Sequence, residues 1–117
     1  MRYYIKISSQ QTSFLLPLTL VDKIIDFSSL EDQELIFLSD LFDSSLKSGQ
    51  YVILIKNQNV ALIVDWIEDI IQLNHQHIQP INHILLNKRL SFIQGMITLE
   101  KDYFVFIEEI IDYIRGR

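Results

Sequence analysis

The stretch from residue 51 to residue 65 constrains this chain most. Two apolar, largely β-branched runs, residues 51–55 and 60–65, flank the polar link Lys56, Asn57, Gln58 and Asn59. Asparagine tolerates the left-handed backbone of tight turns, so the pattern predicts a β-hairpin. Past Asp65, the residues Ile67, Ile70 and Ile71 have the spacing of a helix face. Their β-branching nevertheless favours a strand that continues after a bend. A lone carboxylate is costly in so apolar a run, so Asp65 is expected to accept backbone hydrogen bonds at that bend.

The same reasoning extends along the chain. Residues 3–7 alternate and then meet Ser8, Ser9, Gln10 and Gln11, a strand followed by a turn. Phe14, Leu16, Leu18 and Leu20 recur at every second residue. That is a strand period, in which Pro17, lacking an N–H, is expected at an edge or a bulge. Residues 26–34 are largely polar and precede the apolar run 35–38. Residues 39–43 fit one helical turn or a tight corner with Ser39 as cap, and residues 44–50, with Gly49, fit a loop. Residues 74–87 read as an irregular crossing connection. Residues 92–99 and 103–107 predict a second hairpin around Glu100, Lys101 and Asp102. Ile107, Ile110, Ile111 and Ile114, with Glu108, Glu109 and Asp112 between them, predict a short amphipathic helix closing the domain on the core. About seven short strands separated by turns fit a barrel or sandwich better than a layered α/β domain.

Composition narrows the function. With 117 residues, 49% of them hydrophobic and 21% charged, the chain can bury a core as a single domain spanning residues 1–117, and disorder is not expected. A net charge of −5 without a basic cluster argues against nucleic-acid binding. The acidity concentrates in residues 22–43, where seven carboxylates accompany one lysine, either a solvated face or a docking surface for a basic patch. Zero cysteines exclude a disulfide framework and a thiolate zinc site and fit a reducing compartment. Residues 1–9 lack the apolar core and cleavage site of a signal peptide, and the most apolar stretch, residues 51–71, is interrupted by Lys56, Asp65, Glu68 and Asp69. A soluble, cytoplasmic protein is expected.

No chemical constellation stands out. His75 and His77 have a His-x-His spacing, and His83 follows, but no local carboxylate or cysteine completes a ligand set, so loop histidines without metal are expected. Gly49 and Gly116 are isolated and make no phosphate-cradling loop. Gly95, after Gln94, suggests a bulge or a close backbone approach. Trp66 is either a core or rim side chain or an interface anchor. Neither a catalytic residue nor a cofactor is expected.

Three segments, in order, resemble the CheW family of chemotaxis coupling proteins. Phe14-Leu-Leu-Pro-Leu-Thr-Leu-Val-Asp-Lys-Ile-Ile25 is similar to the family strand in which an aliphatic-Pro-aliphatic step precedes a Val-x-Glu-Ile element. Val60-Ala-Leu-Ile-Val-Asp-Trp-Ile-Glu-Asp-Ile-Ile71 resembles its aliphatic run ending in Val-Asp-x-Val-x-x-Ile. Phe92-Ile-Gln-Gly-Met-Ile97, leading to Tyr103-Phe-Val-Phe-Ile-Glu-Glu-Ile-Ile111, resembles its Ile-x-Gly strand, turn, strand and terminal helix. Residues 35–42 resemble the aliphatic-Asp-Leu piece from the middle of the family. Two departures accompany these matches. A further strand with an Asn-Leu-Arg-Gly-like step is missing between Ile25 and Leu35, and Lys23 replaces the family's Glu.

The resemblance implies a mainly β fold, a CheW-like pair of interlocked small SH3-like β-barrels with one truncated, plus a short C-terminal helix. The truncation predicts an exposed edge strand or groove. The resemblance also implies a non-catalytic adaptor of bacterial chemosensory signalling that binds a CheA-type histidine kinase regulatory domain, with a chemoreceptor as further partner. Its contact residues, carried over by position, are Leu18, Leu20, Lys23, Ile24, Trp66 and Gly95. Two alternatives stand beside it: a divergent CheW-like module that scaffolds another complex or self-associates, favoured by the missing Arg-Gly element, and a small metal- or ligand-binding enzyme, which rests only on the histidines and carboxylates.

Overall fold

The chain turns back on itself first at Gln10 and Gln11. Both have positive φ, 52° and 67°, the φ signature of a type I′ turn, and they join strand β1 (Arg2–Ser9) to β2 (Thr12–Pro17) with Ser9 opposite Thr12. In this computed structural model, residues 1–41, 47–80 and 92–116 are described. Among them follow β3 (Val21–Asp26), β4 (Glu34–Phe37), β5 (Tyr51–Ile55), β6 (Val60–Val64), β7 (Trp66–Leu73), β8 (Ile93–Thr98), β9 (Asp102–Phe106) and one helix, α1 (Ile110–Arg115).

The nine strands form two sheets, one of five strands in the order β7-β1-β2-β9-β8 and one of four in the order β3-β5-β6-β4. The hairpin predicted around Lys56–Asn59 is β5–β6, with Leu54 opposite Ala61 and Asn57 at φ 63°. The second predicted hairpin is β8–β9. After Asp65 the chain continues as β7, a strand rather than a helix, and so passes from the second sheet into the first. Two pairings are parallel: β2 with β9, through Phe14↔Phe104 and Leu15↔Val105, and β4 with β6. Neither sheet closes among the described residues, since β7 and β8 border the first and β3 and β4 the second. The observed architecture is therefore a pair of open sheets.

The expected strand over residues 14–20 is corrected. It ends at Pro17, and Leu18–Leu20 form a 3₁₀ turn before β3 begins, which raises the strand count above the sequence reading. Pro17 lies at the end of an inner strand, not on a sheet border. Its missing N–H costs nothing there, because the ladder with β9 involves only Phe14 and Leu15. A helical turn forms as expected but begins one residue earlier, at Leu38–Leu41, so Ser39 is not its cap: it lies inside the turn, buried, and accepts a hydrogen bond from the backbone N–H of Ser48 at 3.2 Å; Phe42 and Asp43 lie outside the described residues.

The main core lies between the sheets. It gathers Ile5, Ile7, Phe14 and Leu16 from β1 and β2, Ile53, Leu62 and Val64 from the second sheet, Phe106 from β9, and Ile110 and Ile111 from α1. Phe14 and Phe106 stack with centroids 4.9 Å apart. Leu15, between Phe14 and Leu16, joins Tyr4, Tyr103 and Val105 on the opposite face. The strand β2 is thus buried on both faces, which sets the first sheet rigidly against the second.

Candidate partner-binding surface

The crossing from β2 to β3 shapes a groove. Pro17 stops the ladder, the Val21 N–H bonds Leu18 O to close the 3₁₀ turn, and the Lys56 N–H donates to Leu20 O at 2.8 Å, tying the turn to the second sheet. Leu20 packs, half-buried, on the main core, while Leu18 faces a groove of about 520 Å³ with Met1, Tyr3, Pro17 and Val21. Arg2 and Glu108, paired at 2.6 Å, and Lys56 supply its polar rim. The groove thus has an apolar floor and charged edges.

Exposed apolar side chains flank this region on paired strands. Tyr3 is 53% exposed, Ile70, opposite Ile5, is 52% exposed, and Ile24, opposite Ile53, is 48% exposed. Ile24 and the exposed Lys23 lie on β3 just past a register shift between Val21 and Lys23. Trp66, 51% exposed at the start of β7, stands edge-on to Tyr51 with centroids 5.4 Å apart. Its indole is therefore a rim side chain held in place by one aromatic neighbour.

Gly95 is placed differently from the other five expected contact residues. It is buried at a register shift in β8, and a Cβ there would lie 2.5 Å from Gln79 O and 2.6 Å from Ile78 Cγ2. Gln79 and Met96 exchange two backbone hydrogen bonds of 2.8 Å across this approach. The close backbone approach expected of Gly95 is what the structure contains.

Asp65 pins the bend between β6 and β7. Its Oδ2 accepts the Gln10 N–H at 2.8 Å, its Oδ1 accepts the Ser48 hydroxyl at 3.0 Å, and its own N–H donates to Ser8 O at 3.0 Å. The carboxylate acts as a clasp between the first hairpin turn and the sheet crossing.

A polar network that the sequence reading did not foresee lies on the opposite face of the first sheet. Lys6 Nζ lies 3.1 Å from Glu100 Oε1 and 3.6 Å from Asp69 Oδ1, and Lys101 pairs with Glu68 at 3.0 Å. The buried Tyr103 hydroxyl bonds Glu100 and lies 3.4 Å from Glu68, and the Lys6 and Lys101 ammonium groups sit 5.3 and 5.5 Å from the Tyr103 ring centroid. The hydrogen bond from Tyr103, then a backbone N–H and Lys6, lower the Glu100 carboxyl to about 2. Burial and the adjoining Glu100 push the Tyr103 phenol well above its ordinary value. Burial works to lower the Lys6 ammonium, but the Glu100 hydrogen bond and the Asp69 charge outweigh it and raise it. The one hint in the sequence is Lys6 itself, a charge inside the run Tyr4, Ile5, Ile7.

His75 and His77 are exposed in a 3₁₀ turn whose N-cap, Asn74, accepts from the Gln76 N–H at 3.0 Å; His83 lies outside the described residues. Among the described residues no three His, Cys, Asp or Glu side chains gather as a metal site, and no helix is long and apolar enough to cross a membrane.

Two facing sheets, a chain that crosses from one to the other at Asp65, and a closing C-terminal helix make a two-sheet β domain. The crystal structure of the scaffolding protein TtCheW from Thermoanaerobacter tengcongensis is similar to this chain with a TM-score of 0.70 at 15% identity, over 91% of this chain and 84% of that one. At that identity the likeness is one of fold. No family model and no curated protein matches the sequence.

Proposed function

We propose that this chain is a non-catalytic adaptor of bacterial chemosensory signalling, a single cytoplasmic domain over residues 1–117 that needs no metal or cofactor. It binds the CheW-like regulatory domain of a CheA-type histidine kinase, with a chemoreceptor as further partner. In this reading the two sheets correspond to two small SH3-like barrels, the second of them short of a strand. The observation that carries the proposal is the exposure of Tyr3, Ile24, Trp66 and Ile70 on a fold like that of a scaffolding protein. Exposed apolar groups rimmed by charge are the surface that a protein partner buries.

The contact surface in this reading comprises Leu18, Leu20, Lys23, Ile24 and Trp66, with Gly95 contributing through the backbone shape of β8. Calorimetric titration of the full chain with the regulatory domain of a CheA-type kinase from the same organism tests it. Saturable binding at micromolar concentration, weakened by Ile24→Lys, supports the adaptor; absence of binding removes the kinase as partner.

A second reading, a CheW-like module that serves a different complex without coupling receptors, is favoured by the segment before β4. Only the 3₁₀ turn Phe27–Ser29 and a short connection fill the place of the missing Arg-Gly element. A pull-down that returns a partner but neither kinase nor receptor selects this reading.

A further inference from the structure

Among the described residues, the second sheet ends at β4 on an edge that no further strand pairs. The Glu34 N–H donates to Asn59 O at 2.9 Å, and the parallel register sets Glu34 against Val60 and Ile36 against Leu62. Backbone groups alternate along a strand, so those of Glu34 and Ile36 serve β6 and those of Leu35 and Phe37 point away from it. No described strand takes them up.

The other three sheet borders are defended. β7 carries Glu68, Asp69 and a register shift against β1; β3 carries Asp22, Lys23, Asp26 and a register shift; β8 is bridged by Gln79. Charges, bulges and covering segments are the means by which exposed edges avoid pairing. β4 has an unbroken register, one charge at its first residue, and Leu35 left 45% exposed. Beside it runs a groove of about 520 Å³ floored by Ile36, Leu41 and Ile114, with Asp40, Lys47 and the Glu34–Arg115 pair of 3.2 Å along its sides.

Charge selects the occupant. Glu31 and Asp32 precede the strand and Asp40 follows it, all exposed, against the single Lys47, while Glu34 is already paired with Arg115. Two copies of this chain joined edge to edge would bring these acids together, whereas a basic segment complements them. We propose that the open edge of β4 takes up an extended segment of a partner protein that alternates apolar and basic residues and hydrogen-bonds to the backbone of Leu35 and Phe37. This surface is separate from the Leu18 groove and stands whether or not the kinase is a partner.

Amide hydrogen exchange on the full chain, with a short synthetic peptide alternating valine and lysine, tests the proposal. At saturating peptide, exchange at Leu35 and Phe37 should slow by about ten-fold or more while Glu34 and Ile36, already bonded to β6, stay unchanged. Leu35→Pro deletes an outward N–H that β6 does not use, and should weaken peptide binding by about ten-fold with the circular dichroism spectrum unchanged. A peptide with glutamate in place of lysine should not bind. The proposal is overturned if the lysine peptide fails to bind, if slowed exchange does not follow this alternation, if the glutamate peptide binds as well, or if Leu35→Pro binds undiminished. It is also overturned if the unliganded chain forms a dimer that Leu35→Pro abolishes, which would make a second copy the occupant. Should Leu35→Pro not fold, the exchange pattern of the native chain and the glutamate peptide decide the matter.

Discussion

Gly95 and Gln79 approach so closely that a Cβ on the glycine would lie 2.5 Å from the Gln79 carbonyl oxygen. That oxygen accepts the Met96 N–H at 2.8 Å, so it cannot retreat without breaking a hydrogen bond. Gly95→Ala is therefore expected to destabilise the fold by about 2 kcal/mol, in the range of overpacked sites. Urea unfolding of the purified variant checks this, with the loss seen as a lower midpoint at an unchanged slope.

Asp65 is a second structural position. Asp65→Ala removes the acceptor for the Gln10 N–H and for the Ser48 hydroxyl, and hydrogen bonds to a charged group are worth about 1.5–3 kcal/mol each before the gain from renewed hydration. A net loss of about 2 kcal/mol is expected. Asp65→Asn, which keeps an acceptor oxygen, should lose less, and thermal unfolding of the two variants side by side distinguishes the clasp from a merely solvated carboxylate.

The Tyr103 network sets the pH range of stability from both sides. Glu100 is held at about 2 against an ordinary 4.5, so its contribution is full above about 4.5 and is lost as the pH falls toward 2. The phenol of Tyr103 and the ammonium of Lys6 are both raised, from 10.0 and 10.5, so their contributions are full below about 10 and disappear as the pH climbs past it. A plateau from about pH 5 to 10 is expected. Glu100→Gln should flatten the acid limb, and Tyr103→Phe, which removes the raised phenol and the hydrogen bond that most lowers Glu100, should flatten part of both limbs. Denaturation midpoints across the pH range would show a mistaken assignment as limbs unchanged by either substitution.

Trp66 separates binding from stability. Half-exposed and touching Tyr51 edge-on, it should cost no more than about 1 kcal/mol of stability when replaced by alanine. If the adaptor reading holds, the same change should weaken kinase-domain binding by about ten-fold or more, because exposed tryptophans at interfaces are frequent anchors. Calorimetry and thermal unfolding of Trp66→Ala, read together, report the two effects independently.

Local features of this protein were set by the sequence alone. The β5–β6 and β8–β9 hairpins, the continuation of β7 beyond Asp65 and the terminal helix all rest on neighbours in the chain, where turn chemistry and side-chain period act directly. Even the roles of Asp65 and Gly95 were legible, because a charge in an apolar run and a glycine in a strand each demand a structural reason. The parallel pairings of β2 with β9 and β4 with β6 were decided only by tertiary structure, since no turn links either pair of strands; for β2, burial of both faces favours a partner on each side. The same holds for the end of β2 at Pro17. An alternating pattern runs on to Leu20, but the chain has to leave the first sheet there to reach the second. The Lys6, Glu68, Asp69, Glu100 and Tyr103 network was likewise illegible in the sequence, and although an exposed edge strand was expected, that β4 would be the strand to carry it was not. Each depends on which strands become neighbours, and that is settled by packing the two sheets around one core rather than by any local pattern.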